Sequence, residues 1–141
     1  MMKVKYAAES DYDKVRDIDN SITSSEFRRW ADNSQVLLIY EQDEFAGWLQ
    51  YGYFKEKTPF INRIFIKEQF RGLGDGKLTL LIWQRQMEER FFDEVMLSCD
   101  SENETMNALC KELKYDLIGT LNMSGGKTEN VYKKVLPKPE I

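Results

Sequence analysis

The sequence predicts an α/β chain built on one mixed, mostly antiparallel sheet of about seven strands flanked by about four helices. Three observations carry that prediction. Strand-like runs recur in "VLLIYE" (36–41), "FAGWLQYGYF" (45–54) and "PFINRIFI" (59–66), separated by short polar turns. Helix-start spacing occurs twice before them, in "SDYD" (10–13) and "TSSE" (23–26). A glycine-rich stretch, "QFRGLGDGKL" (69–78), then leads into the longest helical stripe, Leu80, Trp83, Met87 and Phe91.

The remaining elements follow in order. "KVKYA" (3–7) reads as the first strand, and Val15 and Ile18 place a short helix after the first capping spacing. Phe27, Trp30 and Ala31 extend a second helix to about Asn33. "QDE" (42–44) and "KEKT" (55–58) turn the chain between three strands, with Pro59 tolerated at a strand start. The long helix covers 77–92, and its N-terminal half is apolar on most sides. "EVMLSC" (94–99) is a strand, "TMNALCKEL" (105–113) a helix, and "YDLIGTL" (115–121) and "NVYKKV" (130–135) are strands joined through "SGGK" (124–127). The order is βααβββ, a glycine loop, then αβαββ. One domain over 1–136 with a loose tail at 137–141 is expected.

Composition narrows the function. The 141 residues are 42% hydrophobic, too apolar for a disordered chain, and no apolar run approaches the roughly 20 residues that cross a bilayer. The N-terminus has no apolar core of a secretory signal. Only Cys99 and Cys110 are present, so a reduced, cytoplasmic protein is expected. Histidine is absent, which removes the commonest general base and makes a zinc or iron site improbable; no metal is expected. A net charge of −4 argues against a nucleic-acid partner, and the lack of a span against a membrane one.

The glycine stretch admits two readings. A strand feeding a glycine turn and then a helix exposes unpaired backbone N–H groups that can cradle a diphosphate, with Arg71 and Lys77 at the edges. Equally, glycine there can simply supply a positive φ. Nucleotide motifs do not fit. The GxxxxGK[ST] pattern fails at Arg71 and Leu78, and GxGxxG fails at Lys77.

What remains is R-x-x-G-x-G, met by Arg71, Gly74 and Gly76. Here the sequence resembles the GNAT superfamily of N-acetyltransferases, whose loop of this form grips the pyrophosphate of acetyl-CoA. "DEFAGW" (43–48) is similar to the family's turn and third strand, and "RIFIKEQFRGLGDG" (63–76) to its fourth strand and loop. "NETMNALCKELKY" (103–115) resembles its last helix segment, so the likeness covers most of the chain.

The resemblance implies a sheet splayed between its fourth and fifth strands, with the pantetheine arm of acetyl-CoA lying in the split. It implies that the backbones of Ile64, Phe65 and Ile66 meet that arm. Arg71, Gly72, Leu73, Gly74, Asp75 and Gly76 would hold the diphosphate, and Asn103 would touch the cofactor further along. It implies direct attack by a primary amine of a small molecule or peptide, and it is consistent with a homodimer. Two catalytic places depart from the family pattern. Asn62 stands where an acidic residue is common, and Cys110 stands where a tyrosine often protonates the leaving thiolate. Asp75 replaces an aliphatic residue; it is expected either to point to solvent or to cap the helix. Lys114 replaces a common glycine. For the acceptor, Phe27, Trp30, Tyr51 and Tyr53 are the expected aromatic wall. A catalytically weak acyl-CoA-binding module, or a partner-binding domain with a vestigial loop, are the alternatives.

Overall fold

The computed structural model describes residues 1–138; the end of the expected tail, 139–141, lies outside the described residues. Seven strands and four helices appear in the predicted order. They are β1 (Met2–Tyr6), α1 (Tyr12–Arg16), α2 (Ser24–Asp32), β2 (Val36–Glu41), β3 (Glu44–Phe54), β4 (Thr58–Ile66), α3 (Asp75–Glu89), β5 (Glu94–Asp100), α4 (Glu104–Glu112), β6 (Asp116–Asn122) and β7 (Thr128–Val135).

Local chemistry accounts for most boundaries. Thr23 accepts from the Glu26 backbone N–H at 3.1 Å while Glu26 reaches back, so the second capping box forms as predicted. The first box does not. Residues Glu9–Asp11 make a 3₁₀ turn, and the Asp11 carboxylate takes the Ala8 N–H at 2.9 Å, leaving Ser10 without the capping role. Both early hairpins close through two consecutive left-handed residues, Gln42 and Asp43 (φ 53° and 66°), then Lys55 and Glu56 (φ 53° and 59°). That geometry matches the right-handed twist of the flanking strands.

The long helix ends sooner than its apolar stripe suggests. Phe91 adopts φ 66° and is 76% exposed, while the Phe92 N–H bonds back to the Met87 carbonyl at 3.1 Å. This six-to-one closure stops the helix whatever the side chain at the left-handed position. Helix α4 ends the same way: Lys114 has φ 67°, and the Tyr115 N–H meets the Cys110 carbonyl at 2.9 Å.

The strands form one sheet in the order β1-β2-β3-β4-β5-β7-β6. Pairs β1–β2, β2–β3, β5–β7 and β6–β7 are antiparallel, whereas β4 and β5 run parallel. The parallel register joins Phe60 to Met96 and Ile61 to Leu97, and both strands continue beyond it, β4 to Ile66 and β5 to Asp100.

Contacts gather into two compact units. The first is Met1–Tyr51 with Ile64–Thr79, and the second is Gly52–Arg63 with the described residues from Leu80 onward. In the first, Val15 of α1, Ile22 of the connection and Phe27 of α2 pack onto Val36, Leu38 and Trp48 of the sheet. In the second, Ile61, Leu80, Trp83, Met87, Leu97 and Tyr132 are fully buried. Burial of such side chains is worth about 1.5–3 kcal/mol each, which holds both helix layers in place.

Candidate active site

The glycine loop lies in the first unit, between the end of β4 and the start of α3. A 3₁₀ turn, Glu68–Phe70, carries the chain off the strand. Gly72 and Gly74 then take φ +83° and +84°, and a Cβ at either would meet nothing within 4 Å. Glycine is therefore required there by backbone conformation, not by crowding, and the loop's outer side is open. The Leu78 N–H closes on the Gly74 carbonyl at 3.0 Å, so the amides of Gly74 to Gly76 stand at the N-terminal end of a 15-residue helix, where the helix dipole is positive. This geometry fits a diphosphate guest. Leu73 is 58% exposed beside it.

Arg71 fixes the loop to the strand it leaves. Its Nε donates to the Ile66 carbonyl at 2.8 Å, and its guanidinium lies 5.7 Å from the Phe65 ring centre. Phe65 in turn packs on Trp48, with ring centres 4.9 Å apart. Beside them β3 comes unusually near, because a Cβ on Gly47 would stand 1.9 Å from the Phe65 carbonyl oxygen. Only glycine lets the two backbones approach this closely. Ile64, Phe65 and Ile66 are half-buried.

Asp75 neither points to solvent nor caps the helix. It is the first residue of α3 and only 3% exposed, and its Oδ2 is buried with no hydrogen-bond partner among the described residues. Burial, then a hydrogen bond and like-charge repulsion from Glu41, push its carboxyl up to about 6. Glu41 is held below its ordinary range, first by the Met1 amino group 3.1 Å away and then by Asp75. The acid is thus turned inward, where it can exist neutral near the loop, and the sequence alone could not show this.

In the second unit, Asn62 is exposed and lines a cavity of about 230 Å³ with Tyr53, Phe54 and Phe60. Phe54 and Phe60 stack with ring centres 6.2 Å apart. Cys110 is fully buried on α4 and hydrogen-bonded to Cys99; that bond, burial and the neighbouring thiol's charge raise its pKa far above the ordinary thiol range. The same bond lowers Cys99. Tyr115 is raised as well, by burial first, and donates to Gln84 at 2.9 Å. Asn103 caps α4, accepting the Met106 N–H at 3.0 Å. Asn107 anchors the polar end of this unit: it accepts from Asn130 at 2.9 Å and Tyr132 at 2.5 Å.

The expected acceptor wall is divided by burial. Phe27 and Tyr51 are 0% exposed, so neither faces an open surface; Phe27 is core, with Tyr12 at 5.7 Å. Trp30 is half-buried and packs on the same cluster. Tyr53 is half-buried, its ring 6.0 Å from Phe92 and its hydroxyl accepting from Arg90 at 3.5 Å. Phe54 and Phe60 are the aromatic residues that join Tyr53 at the cavity; strict strand alternation would have placed Phe54 on the face opposite Tyr53, so the sequence pattern did not point to it.

The site is thus a glycine loop that carries β4, one strand of the parallel pair, into α3. The chain belongs to the acetyltransferase (GNAT) family, whose sequence pattern matches residues 4–115. No curated protein matches the sequence closely enough to count as a relative. Among solved structures the chain is similar to an N-acetyltransferase from Staphylococcus aureus Mu50, at 16% identity and TM-score 0.82, covering 96% of this chain and 98% of that one. It is similar to a ribosomal-protein-alanine N-acetyltransferase from Brucella melitensis, at 18% identity and TM-score 0.81, covering 95% and 99%. It is also similar to the ribosomal-protein-S18-alanine N-acetyltransferase of Escherichia coli, at 12% identity and TM-score 0.80, covering 99% and 97%. At these identities the likeness is one of fold.

Proposed function

We propose that the protein transfers an acetyl group from acetyl-CoA to a primary amine of a small molecule or peptide, by direct attack with both substrates bound. The observation that carries this reading is the loop itself: two left-handed glycines, open on their outer side, at the N-terminal end of α3. The family uses acetyl-CoA, which would supply the activated acetyl group as a thioester. Amides from Gly72 to Gly76 would bind its diphosphate, and the backbone of Ile64–Ile66 would orient the arm, one amide steadying the thioester oxygen. Arg71 would keep the loop against the strand rather than reach out as a free cation. Asn103 enters through the family resemblance, with its Oδ1 already engaged in capping.

Positioning does most of the chemistry in this reading. Deprotonating an amine of lysine-like pKa at neutral pH costs roughly 4–5 kcal/mol. Holding two reactants in line contributes about 7–11 kcal/mol. Asn62 cannot take a proton, but its exposed amide can hold the acceptor or a water. Cys110 would have to give up a tightly held proton from a fully buried place, so its assignment as acid is the part most directly open to test. The Brucella and Escherichia coli proteins are named for alanine residues of ribosomal proteins, which supports a peptide amine as one acceptor class.

Thermal shift with acetyl-CoA and release of free thiol against an amine panel test the reading together. Stabilisation plus amine-stimulated release is expected. Stabilisation without release would favour the second reading, a coenzyme-A-binding module, which the non-ionisable Asn62 and the buried Cys110 keep open. Gly74→Glu should abolish binding while the protein stays folded, because its side chain would project into open space and forcing φ +84° on it costs only about 1–2 kcal/mol. Unchanged binding in that variant would remove the loop from the site.

A further inference from the structure

The parallel β4–β5 register ends at Ile61 and Leu97, which makes Asn62 and Ser98 the next residues on each strand. Laterally paired residues share a face of a sheet. Ile61 and Leu97 are buried at 1% and 0%, so their face is core, and Phe60, Asn62 and Ser98 belong to the opposite one. Ser98 pairs with Val131 on β7, and Glu129, two residues earlier, lies on that same face. The Ser98 hydroxyl donates to Glu129 Oε1 at 2.7 Å. Strands lie about 4.8 Å apart, so the step from β4 across β5 to β7 is about 10 Å. Glu129 itself sits opposite Asp100, two residues further along, so its half-buried carboxylate is tied by Ser98 toward the point where the two parallel strands stop pairing, on the face that carries the Phe54–Phe60 cavity.

Resting on the N-acetyltransferase reading, we infer that Glu129 takes the acceptor's ammonium proton, that Ser98 holds the carboxylate in place, and that the acceptor is a primary amine on an aromatic or apolar body. Asn62 and Ser98 are not bases at neutral pH, and Glu129 is the carboxylate hydrogen-bonded to this spot. The neighbours on the face are one acid, one apolar side chain and one lysine already paired. Asp100 is opposite Glu129 on β5, with its Oδ1 holding the Glu102 N–H at 2.9 Å; Leu121, 48% exposed, is opposite on β6. Lys133, further along β7, is ion-paired to Glu94 at 3.6 Å. In the step, Glu129 removes one proton from the ammonium. The nitrogen lone pair forms the N–C bond as the C–S bond breaks and its electron pair leaves on sulfur. The second nitrogen proton passes to the thiolate, and Glu129 returns its proton to solvent, giving amide and free thiol.

The test uses the full chain, acetyl-CoA and 2-phenylethylamine, with coenzyme A affinity measured separately by calorimetry. Glu129→Gln should lower kcat/KM at pH 7 by about 100-fold or more, mostly in kcat, and flatten the acidic limb of the pH profile. Its coenzyme A affinity should stay within about twofold of wild type. The deficit should shrink below about tenfold with phenylhydrazine, a nucleophile already unprotonated at pH 7, where no base is needed. Ser98→Ala, a milder change, should lose about tenfold in kcat and serves as the measure if the first variant folds poorly. Failure of the wild type to bind coenzyme A would sink the acetyltransferase reading itself. Binding without thiol release from 2-phenylethylamine, or variants within threefold of wild type, would sink this inference alone.

Discussion

Asp75→Asn removes a charge that the fold holds at a disadvantage. Burial and Glu41 raise this carboxyl from its ordinary 3.8 to about 6. A value higher in the folded state means that the folded protein binds more protons between roughly pH 4 and pH 6, so stability is greatest below that window and declines as pH rises through it. At about 1.36 kcal/mol per tenfold change, the ionised group costs the fold roughly 3 kcal/mol at neutral pH relative to its neutral form. Asparagine keeps the shape, carries no charge and can donate to Glu41. At pH 7.5 the variant should therefore unfold about 2–3 kcal/mol later than wild type, with the gap closing near pH 4. Urea titrations from pH 4 to 8, followed by fluorescence of the buried Trp48 and Trp83, measure it. If the glycine loop holds the diphosphate as proposed, coenzyme A affinity should also rise at pH 7.5, because a negative charge next to it is gone. Parallel stability profiles for the two proteins, or a variant less stable at pH 7.5, would refute the reasoning.

Other perturbations test separate parts of the site. Gly47→Ala places a methyl 1.9 Å from the Phe65 carbonyl oxygen, so β4 must shift; a loss of about 2–3 kcal/mol in urea and weaker acetyl-CoA binding are expected together. Lys114→Gly relieves a left-handed non-glycine residue and should raise stability by about 0.5–1 kcal/mol in the same titration. Cys110→Ala leaves a small cavity in the second unit: the unfolding midpoint should fall by about 1–2 kcal/mol while thiol release stays within about threefold of wild type, and a hundredfold fall would instead make Cys110 the proton donor.

Sequence legibility followed the range of the interactions involved. Thr23 and Glu26 cap α2 through atoms three residues apart, so spacing alone placed that helix start. Gly72 and Gly74 needed positive φ for reasons internal to the loop, so they too were readable. Phe91 misled because the apolar stripe records which face is buried, whereas the helix ends where the Phe92 N–H closes on Met87. Tyr51 and Phe27 misled for a related reason: an aromatic residue looks the same in the string whether it lines a cavity or fills a core, and here both fill the core.

Partners far apart in sequence were the least visible, and the proposed chemistry rests on them. Ser98 and Glu129 are 31 residues apart and meet only because β7 inserts between β5 and β6 in the sheet. Asp75, at the start of α3, interacts with Glu41, at the end of β2, within the first unit. Each pairing changes what its residue can do: an unremarkable strand serine becomes the holder of a carboxylate, and an awkward acid in the glycine loop becomes a group that can be neutral. A chain that lacks histidine and carries Asn62 in place of an acid need not lack a base. It needs a carboxylate delivered by another strand, and the β5–β7 ladder, which aligns Ser98 with Val131 and puts Glu129 one pleat away on the same side, is the structural means of delivering one.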